Sequence, residues 1–206
     1  MTSFPNIKRK NYLLASCFLL LLASSGWTQI AVPFSVPTGL RPLGVAGINT
    51  GSASYAAVAN SGDNSVSIFQ LNPAPQNPLT LLVTVTGIPS PYGVFECFDG
   101  TRSAVLVTSP SENSVRLISV PQGQVLGTMK TGAQPYSAVC YNSRYPTRNH
   151  AVVSNLGDST ITVFDLISFQ ILQTFQGVPG SRGFHGVTVW VRNFTSGITG
   201  VRALVE

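Results

Sequence analysis

The sequence predicts an all-β fold built from a repeat, and three observations carry that expectation. Of 206 residues only 9% are charged and 44% are hydrophobic, with 19 Gly and 14 Pro. That balance suits strands joined by many turns and is too apolar for a disordered chain. The stretch Val58 to Phe69 returns as Val107 to Ile118 and again as Val153 to Phe164. Each copy is a short apolar run, a polar turn with an acid near its end, and an alternating run, which reads as strand, tight connection, strand. Beyond the N-terminal region, no segment shows a capped helical period.

The N-terminus reads differently. A basic cluster, Lys8-Arg9-Lys10, precedes an apolar run from Tyr12 to Ala23, followed by the small residues Ser24, Ser25 and Gly26. This is the order of a secretory signal peptide, and a run of about a dozen residues is short for a membrane span of about 20. Residues 1–29 are therefore expected to form a signal helix that is removed. The product would be secreted, or periplasmic or in the cell envelope if bacterial, with no membrane attachment after cleavage. The mature chain keeps nine basic and seven acidic residues, a net charge of +2. No Lys/Arg stripe remains to hold phosphates, which argues against a nucleic-acid partner.

Cys97 and Cys140 are the two cysteines left after processing. Neither lies in a CxxC pair or beside a histidine cluster, so no metal site is expected. A bridge needs Cα atoms within about 7 Å, and the two fall on strands of neighbouring sheets. Two buried, unpaired thiols are favoured over a bridge, which export would permit.

The repeat fixes the organisation of the rest. Pro42-Leu43-Gly44-Val45, Pro91-Tyr92-Gly93-Val94 and Pro135-Tyr136-Ser137-Ala138 open three units, and Phe184-His185-Gly186-Val187 opens a fourth, at intervals of 49, 44 and 49 residues. From each start to the turn residues Asn64, Asn113 and Ser159 is 22, 22 and 24 residues. Within a unit four strands can be read. The first follows the opening motif, and the second ends at Asn60, Ser109 or Asn155. The third covers Val66 to Phe69, Val115 to Ile118 or Ile161 to Phe164, and the fourth covers Leu79 to Val85, Val125 to Met129 or Ile171 to Phe175. In the second unit Asp99-Gly100 makes the hairpin between the first two strands.

Four antiparallel strands in just under fifty residues is the size of a β-propeller blade. A blade cannot bury both faces alone, so blades stack round an axis. Residues 41–206 are read as a partial β-propeller of about three and a half blades: 41–88, 89–132, 133–180 and an incomplete 181–206, in which Val201 to Val205 is the second strand. Residues 30–40 would be a linker or a stray outer strand. Because propellers close with about four to eight blades, either the chain is a fragment of a longer one or several copies complete a ring, and the fragment is the favoured expectation.

The residues Ala57-Val58-Ala59-Asn60, Leu106-Val107-Thr108-Ser109 and Val152-Val153-Ser154-Asn155 resemble the signature of YVTN-type propeller repeats, within the YVTN/WD40-like superfamily. Gly62-Asp63-Asn64-Ser65-Val66-Ser67-Ile68 also follows that pattern. The signature tyrosine is missing from all three copies, and Ser109 replaces the asparagine in the second.

Strand direction places the connections between blades and the turns between second and third strands on one face. Tyr92, Tyr136 and His185, with Leu43, then stand near the axis on that face, with Arg182 beside His185. These aromatic and polar groups are the candidate ligand-binding residues, for a protein, peptide or carbohydrate. Asp63, Glu112 and Asp158 recur once per blade further out and read as structural turn acids that satisfy backbone groups. No nucleophile elbow, zinc motif or phosphate-cradling loop occurs, so no catalytic residue and no cofactor is assigned. The leading expectation is a secreted, non-catalytic binding scaffold. The rival, implied by similar propellers, is a lactonase-like hydrolase or a quinone- or metal-dependent oxidoreductase acting on the same axial face.

Overall fold

The computed structural model describes residues 35–73, 78–99, 101–144, 147–177, 184–189 and 201–205. The expected signal segment and Arg182 lie outside these residues. The chain divides into two compact units, Met1–Pro37 and Thr38–Glu206, and every element below belongs to the second.

Three four-stranded antiparallel sheets follow one another. The first is β1 (Pro42–Asn49), β2 (Ser54–Asn60), β3 (Ser65–Leu71) and β4 (Leu79–Thr86). The second is β5 (Val94–Phe98), β6 (Ser103–Ser109), β7 (Ser114–Ser119) and β8 (Val125–Lys130), and the third is β9 (Pro135–Arg144), β10 (Thr147–Asn155), β11 (Thr160–Asp165) and β12 (Ile171–Gln176). A pair, β13 (Phe184–Val189) and β14 (Val201–Val205), begins a fourth. In each full sheet the strands pair in chain order. This is the up-and-down blade expected from the repeat, and the molecule is a partial β-propeller. One difference lies in the second blade, where Pro110–Glu112 forms a single 3₁₀ turn between β6 and β7. Proline favours the first position of such a turn, and Asn113, at φ 51°, closes it.

Each blade carries the same irregularity. The third and fourth strands slip register between Ile68 and Phe69, between Leu117 and Ile118, and between Val163 and Phe164. The extra residue on the fourth strand is Leu82, Leu126 or Leu172 in turn. A bulge of this kind bends a strand and increases its twist, so the blade's twist is itself repeated.

Period-two alternation sends side chains of one strand to opposite blade interfaces. In β6, Val105 and Val107 join Ile48, Ala57, Val66 and Ile68 in the core between the first two blades. Ala104 and Leu106 join Ala151, Val153, Phe164 and Leu166 in the core between the second and third. All seven residues of β6 except Ser103 are buried as a result. Each fully buried Val or Leu stabilises by about 1.5–3 kcal/mol.

The same alternation corrects the reading of the cysteines. Cys97 and Cys140 form a disulfide, with Cα atoms 5.2 Å apart. Cys97 stands six residues after Pro91, whereas Cys140 stands five after Pro135. That one-residue offset puts them on opposite faces of their sheets, so both point into the gap between β5 and β9. They share the same core cluster.

Candidate functional site

The connections between blades are held from two sides. Arg41, Ser90 and Gln134, each directly before the proline that opens a blade, have φ of 49°, 42° and 52°. The residue before proline ordinarily prefers extended backbone, so hydrogen bonds must hold these in place. The carbonyls of Leu40 and Arg41 accept the N–H groups of Gly62 and Ser61 at 2.9 and 3.0 Å, and Ala133 and Gln134 accept from Gly157 and Leu156 at 2.9 Å each. From the preceding blade, the Asn64 Oδ1 accepts the Ser90 N–H at 2.8 Å and the Asn113 Oδ1 accepts the Gln134 N–H at 2.9 Å. Asn64 and Asn113 themselves sit at φ 55° and 51°, a conformation asparagine tolerates.

Held this way, the residue after each proline arrives on the axial face. Tyr92 is anchored by its N–H donating to the Thr108 carbonyl at 2.9 Å, and Gly93 by donating to Thr108 Oγ1 at 2.9 Å. Tyr136 leads into Ser137, whose N–H donates to Ser154 Oγ at 3.2 Å. The two tyrosine rings lie 4.9 Å apart, tilted by 40°, and the Tyr92 hydroxyl donates to the Tyr136 hydroxyl at 3.0 Å. That bond, with burial second, raises the Tyr92 pKa above its ordinary value, because an ionised Tyr92 has no proton to donate. Beside the pair, Leu43 and Val45 from β1 and Phe95 from β5 complete an open groove of about 310 Å³. Gly44 lets β1 approach this closely: a Cβ there would run into the carbonyl oxygen of Tyr92.

Of the four candidate ligand residues, the structure brings Tyr92 and Tyr136 together, alongside Leu43. His185 is the second residue of β13, described by its backbone, and Arg182 falls outside the described residues. Among the described residues no group of three or more His, Cys, Asp or Glu could hold a metal ion.

The turn acids lie away from the groove. Asp63 Oδ2 accepts the Leu40 N–H at 3.0 Å, and its Oδ1 accepts the Ser65 hydroxyl at 2.7 Å. Asp158 repeats this with the Ala133 N–H and the Thr160 hydroxyl, both at 2.7 Å. Each is backed by the asparagine that ends the second strand. Asn60 donates to the hydroxyls of Ser65 and Ser67, and Asn155 to those of Thr160 and Thr162. The second blade builds the same corner from other parts. Ser109 replaces the asparagine, and Arg116, standing where Ser67 and Thr162 stand, supplies the missing donors to Ser109 Oγ at 3.1 Å and Glu112 at 2.6 Å. The guanidinium holds the partly exposed Glu112 carboxyl below its usual pKa. Sequence reading registered the lost asparagine but missed Arg116, although an arginine in an otherwise Ser/Thr column was the available signal.

No protein-family profile matches the chain, and no curated protein matches its sequence. Solved structures do. Hydrazine synthase from Kuenenia stuttgartiensis superposes with a TM-score of 0.57 at 18% identity, over 75% of this chain and 40% of that one. BBS1N in complex with ARL6DN gives a TM-score of 0.59 at 11% identity, over 84% of this chain and 50% of that one. A second structure of that complex gives 0.55 at 11% identity. At such identities the likeness is one of fold, and the class is β-propeller-like. This chain spans half or less of the length of these structures.

Proposed function

We propose that this chain is part of a longer YVTN-type β-propeller, secreted or held in a bacterial periplasm or envelope. It works as a non-catalytic binding scaffold whose ligand lies beside Tyr92 and Tyr136. The observation that carries this reading is the make-up of the axial groove. Its described lining offers aromatic faces, hydroxyls and aliphatic side chains, and no charged side chain. Such a surface suits a sugar ring or a peptide side chain. Tyr92, a titrating group in that lining, holds its proton more tightly than usual, so it is not poised as a base at neutral pH.

Two further observations support the rest of the reading. The Cys97–Cys140 bridge supports export, because disulfides persist in oxidising compartments. Val45 in β1 is 64% exposed, whereas its equivalents Val94 and Ala138, covered by a preceding blade, are 5% and 4% exposed. That contrast supports a further blade on the open side of the first. The matched structures carry the names of a synthase and of a protein complex, so fold alone does not choose between enzyme and scaffold.

The test is a panel of neutral glycans and peptides presented to the parent protein, Tyr92→Ala and Tyr136→Ala. Capture of a ligand by the parent, weakened about tenfold or more in both variants, is the expected result. Hydrolysis of a lactone or oxidation of a substrate by the parent, abolished in His185→Ala or Arg182→Ala, would overturn it.

A further inference from the structure

The innermost strands of the second and third blades are tied at two levels. At the axial face Tyr92 and Tyr136 meet, with hydroxyl oxygens 3.0 Å apart. Five residues beyond Tyr92 and four beyond Tyr136, Cys97 and Cys140 are bonded. At about 3.3 Å per residue the two ties are some 13–17 Å apart. Between them Phe95 and Ala138 join the same core cluster as the cysteines. β5 and β9 belong to different sheets and share no strand pairing, so no backbone ladder sets their separation. Side chains set it, and the disulfide is the one covalent spacer among the described residues.

The bridge is also within reach of solvent. Cys97 is buried at 3% exposure, but Cys140 is only half-buried. Both line a second cavity of about 380 Å³, together with Asn49, Glu96, Phe98 and Ser103. Below the bridge the Asn149 side-chain amide donates to the Asp99 carbonyl at 2.6 Å, a further tie between these blades' hairpins.

We propose that the Cys97–Cys140 disulfide is a redox-dependent spacer of the axial groove. It sets the distance between β5 and β9 and thereby holds the Tyr92–Tyr136 contact that forms the groove's wall. Reduction by a dithiol proceeds by ordinary exchange. One thiolate of the dithiol attacks the more exposed Cys140 sulfur, and the S–S bond breaks with the electron pair leaving on Cys97. The second thiolate of the dithiol then displaces Cys140. Two electrons and two protons pass to the protein, giving two cysteine thiols, and the dithiol becomes a cyclic disulfide. The strands are then free to separate, and the tyrosines part. This rests on the groove being the binding site only as far as ligand affinity is concerned; the geometric claim stands apart from it.

The test follows tyrosine ionisation by ultraviolet absorbance in the oxidised protein, in the protein reduced with dithiothreitol, and in Cys97→Ala/Cys140→Ala, which cannot re-form the bridge. Tyr136→Phe with the bridge intact marks the signal of a lone Tyr92. The expected result is a late titration of Tyr92 in the oxidised protein that moves back toward about 10 in both bridge-free forms, matching Tyr136→Phe, while the far-ultraviolet β-sheet signal stays. An unchanged late titration without the bridge would overturn the proposal. So would loss of the β-sheet signal, because the bridge would then hold the blades as a whole. If the tyrosines part on reduction and yet no panel ligand binds the oxidised protein, the spacer stands and the binding reading fails.

Discussion

The Tyr92 hydroxyl donates to the Tyr136 hydroxyl across the gap between two blades, at 3.0 Å with ring centroids 4.9 Å apart. Tyr136→Phe keeps the ring and removes the acceptor. It is expected to lower the Tyr92 pKa toward the usual tyrosine value and to cost about 0.5–1.5 kcal/mol, the net worth of one such bond. The sign with pH follows from the raised pKa of Tyr92. The folded state holds that proton more tightly, so the contribution is complete below the unfolded pKa of about 10 and is lost as pH rises through the folded value. Urea unfolding of parent and variant across that range measures it. A parent and variant with the same alkaline stability profile would show that the contact adds nothing.

Asn113 does two jobs, accepting the Gln134 N–H at 2.9 Å and holding φ at 51°. Asn113→Ala loses the bond and puts in left-handed backbone a residue that tolerates it less well than asparagine, for an expected loss of about 1–3 kcal/mol. Asn113→Gly loses the bond alone and is expected to cost less. Equal losses in the two variants, read by denaturant midpoint, would show that backbone conformation plays no part.

Gly132 is pressed against the polar corner of the third blade. A Cβ there would stand 2.5 Å from Asp158 Oδ2 and would also meet the Thr160 hydroxyl. Gly132→Ala is expected to destabilise by about 1–3 kcal/mol, the usual cost of overpacking. Gly47 provides the control, since a Cβ there meets nothing within 4 Å. Gly47→Ala is expected to leave the melting temperature nearly unchanged, and a similar drop in both variants would contradict the packing described.

Besides Glu112, two aspartates contribute to the acid limb of stability. The Asp165 pKa is lowered first by the Ser168 backbone N–H, helped by that of Ile167, against the penalty of burial. For Asp99 burial is the largest single influence and acts upward, but it is outweighed by the Thr101 hydroxyl, the N–H groups of Thr101 and Arg102, and the Arg102 side chain. A depressed folded pKa gives stability that is present above the unfolded value of about 3.9 and is lost as pH falls through the folded one. Asp165→Asn should therefore flatten part of the decline below about pH 4. A variant whose stability falls as steeply as the parent's would remove Asp165 from this role.

The strands were legible because the same apolar runs, turn residues and opening prolines recur, and an error in one blade is corrected by the other two. The strand ends at Asn60, Ser109 and Asn155 were read directly. What was not legible depends on relations between blades. The Cys97–Cys140 bridge follows from a one-residue offset in strand parity, which is visible only once sheets are known to face each other. The bulges at Leu82, Leu126 and Leu172 look, in sequence, like ordinary apolar strand residues. Tyr92 and Tyr136 could be placed at equivalent positions, but their direct contact depends on the distance between β5 and β9. The corner formed by Arg116, Ser109 and Glu112 was hidden because two substitutions compensate each other across strands.

The innermost strands of the second and third blades stand side by side, bringing Tyr92 to Tyr136. Peptide mapping by mass spectrometry, without reduction and with free thiols alkylated before digestion, tests this arrangement most directly. The expected result is one cross-linked species joining the peptide that contains Cys97 to the peptide that contains Cys140, with neither residue alkylated. Two alkylated cysteines in protein recovered from an oxidising compartment would contradict it.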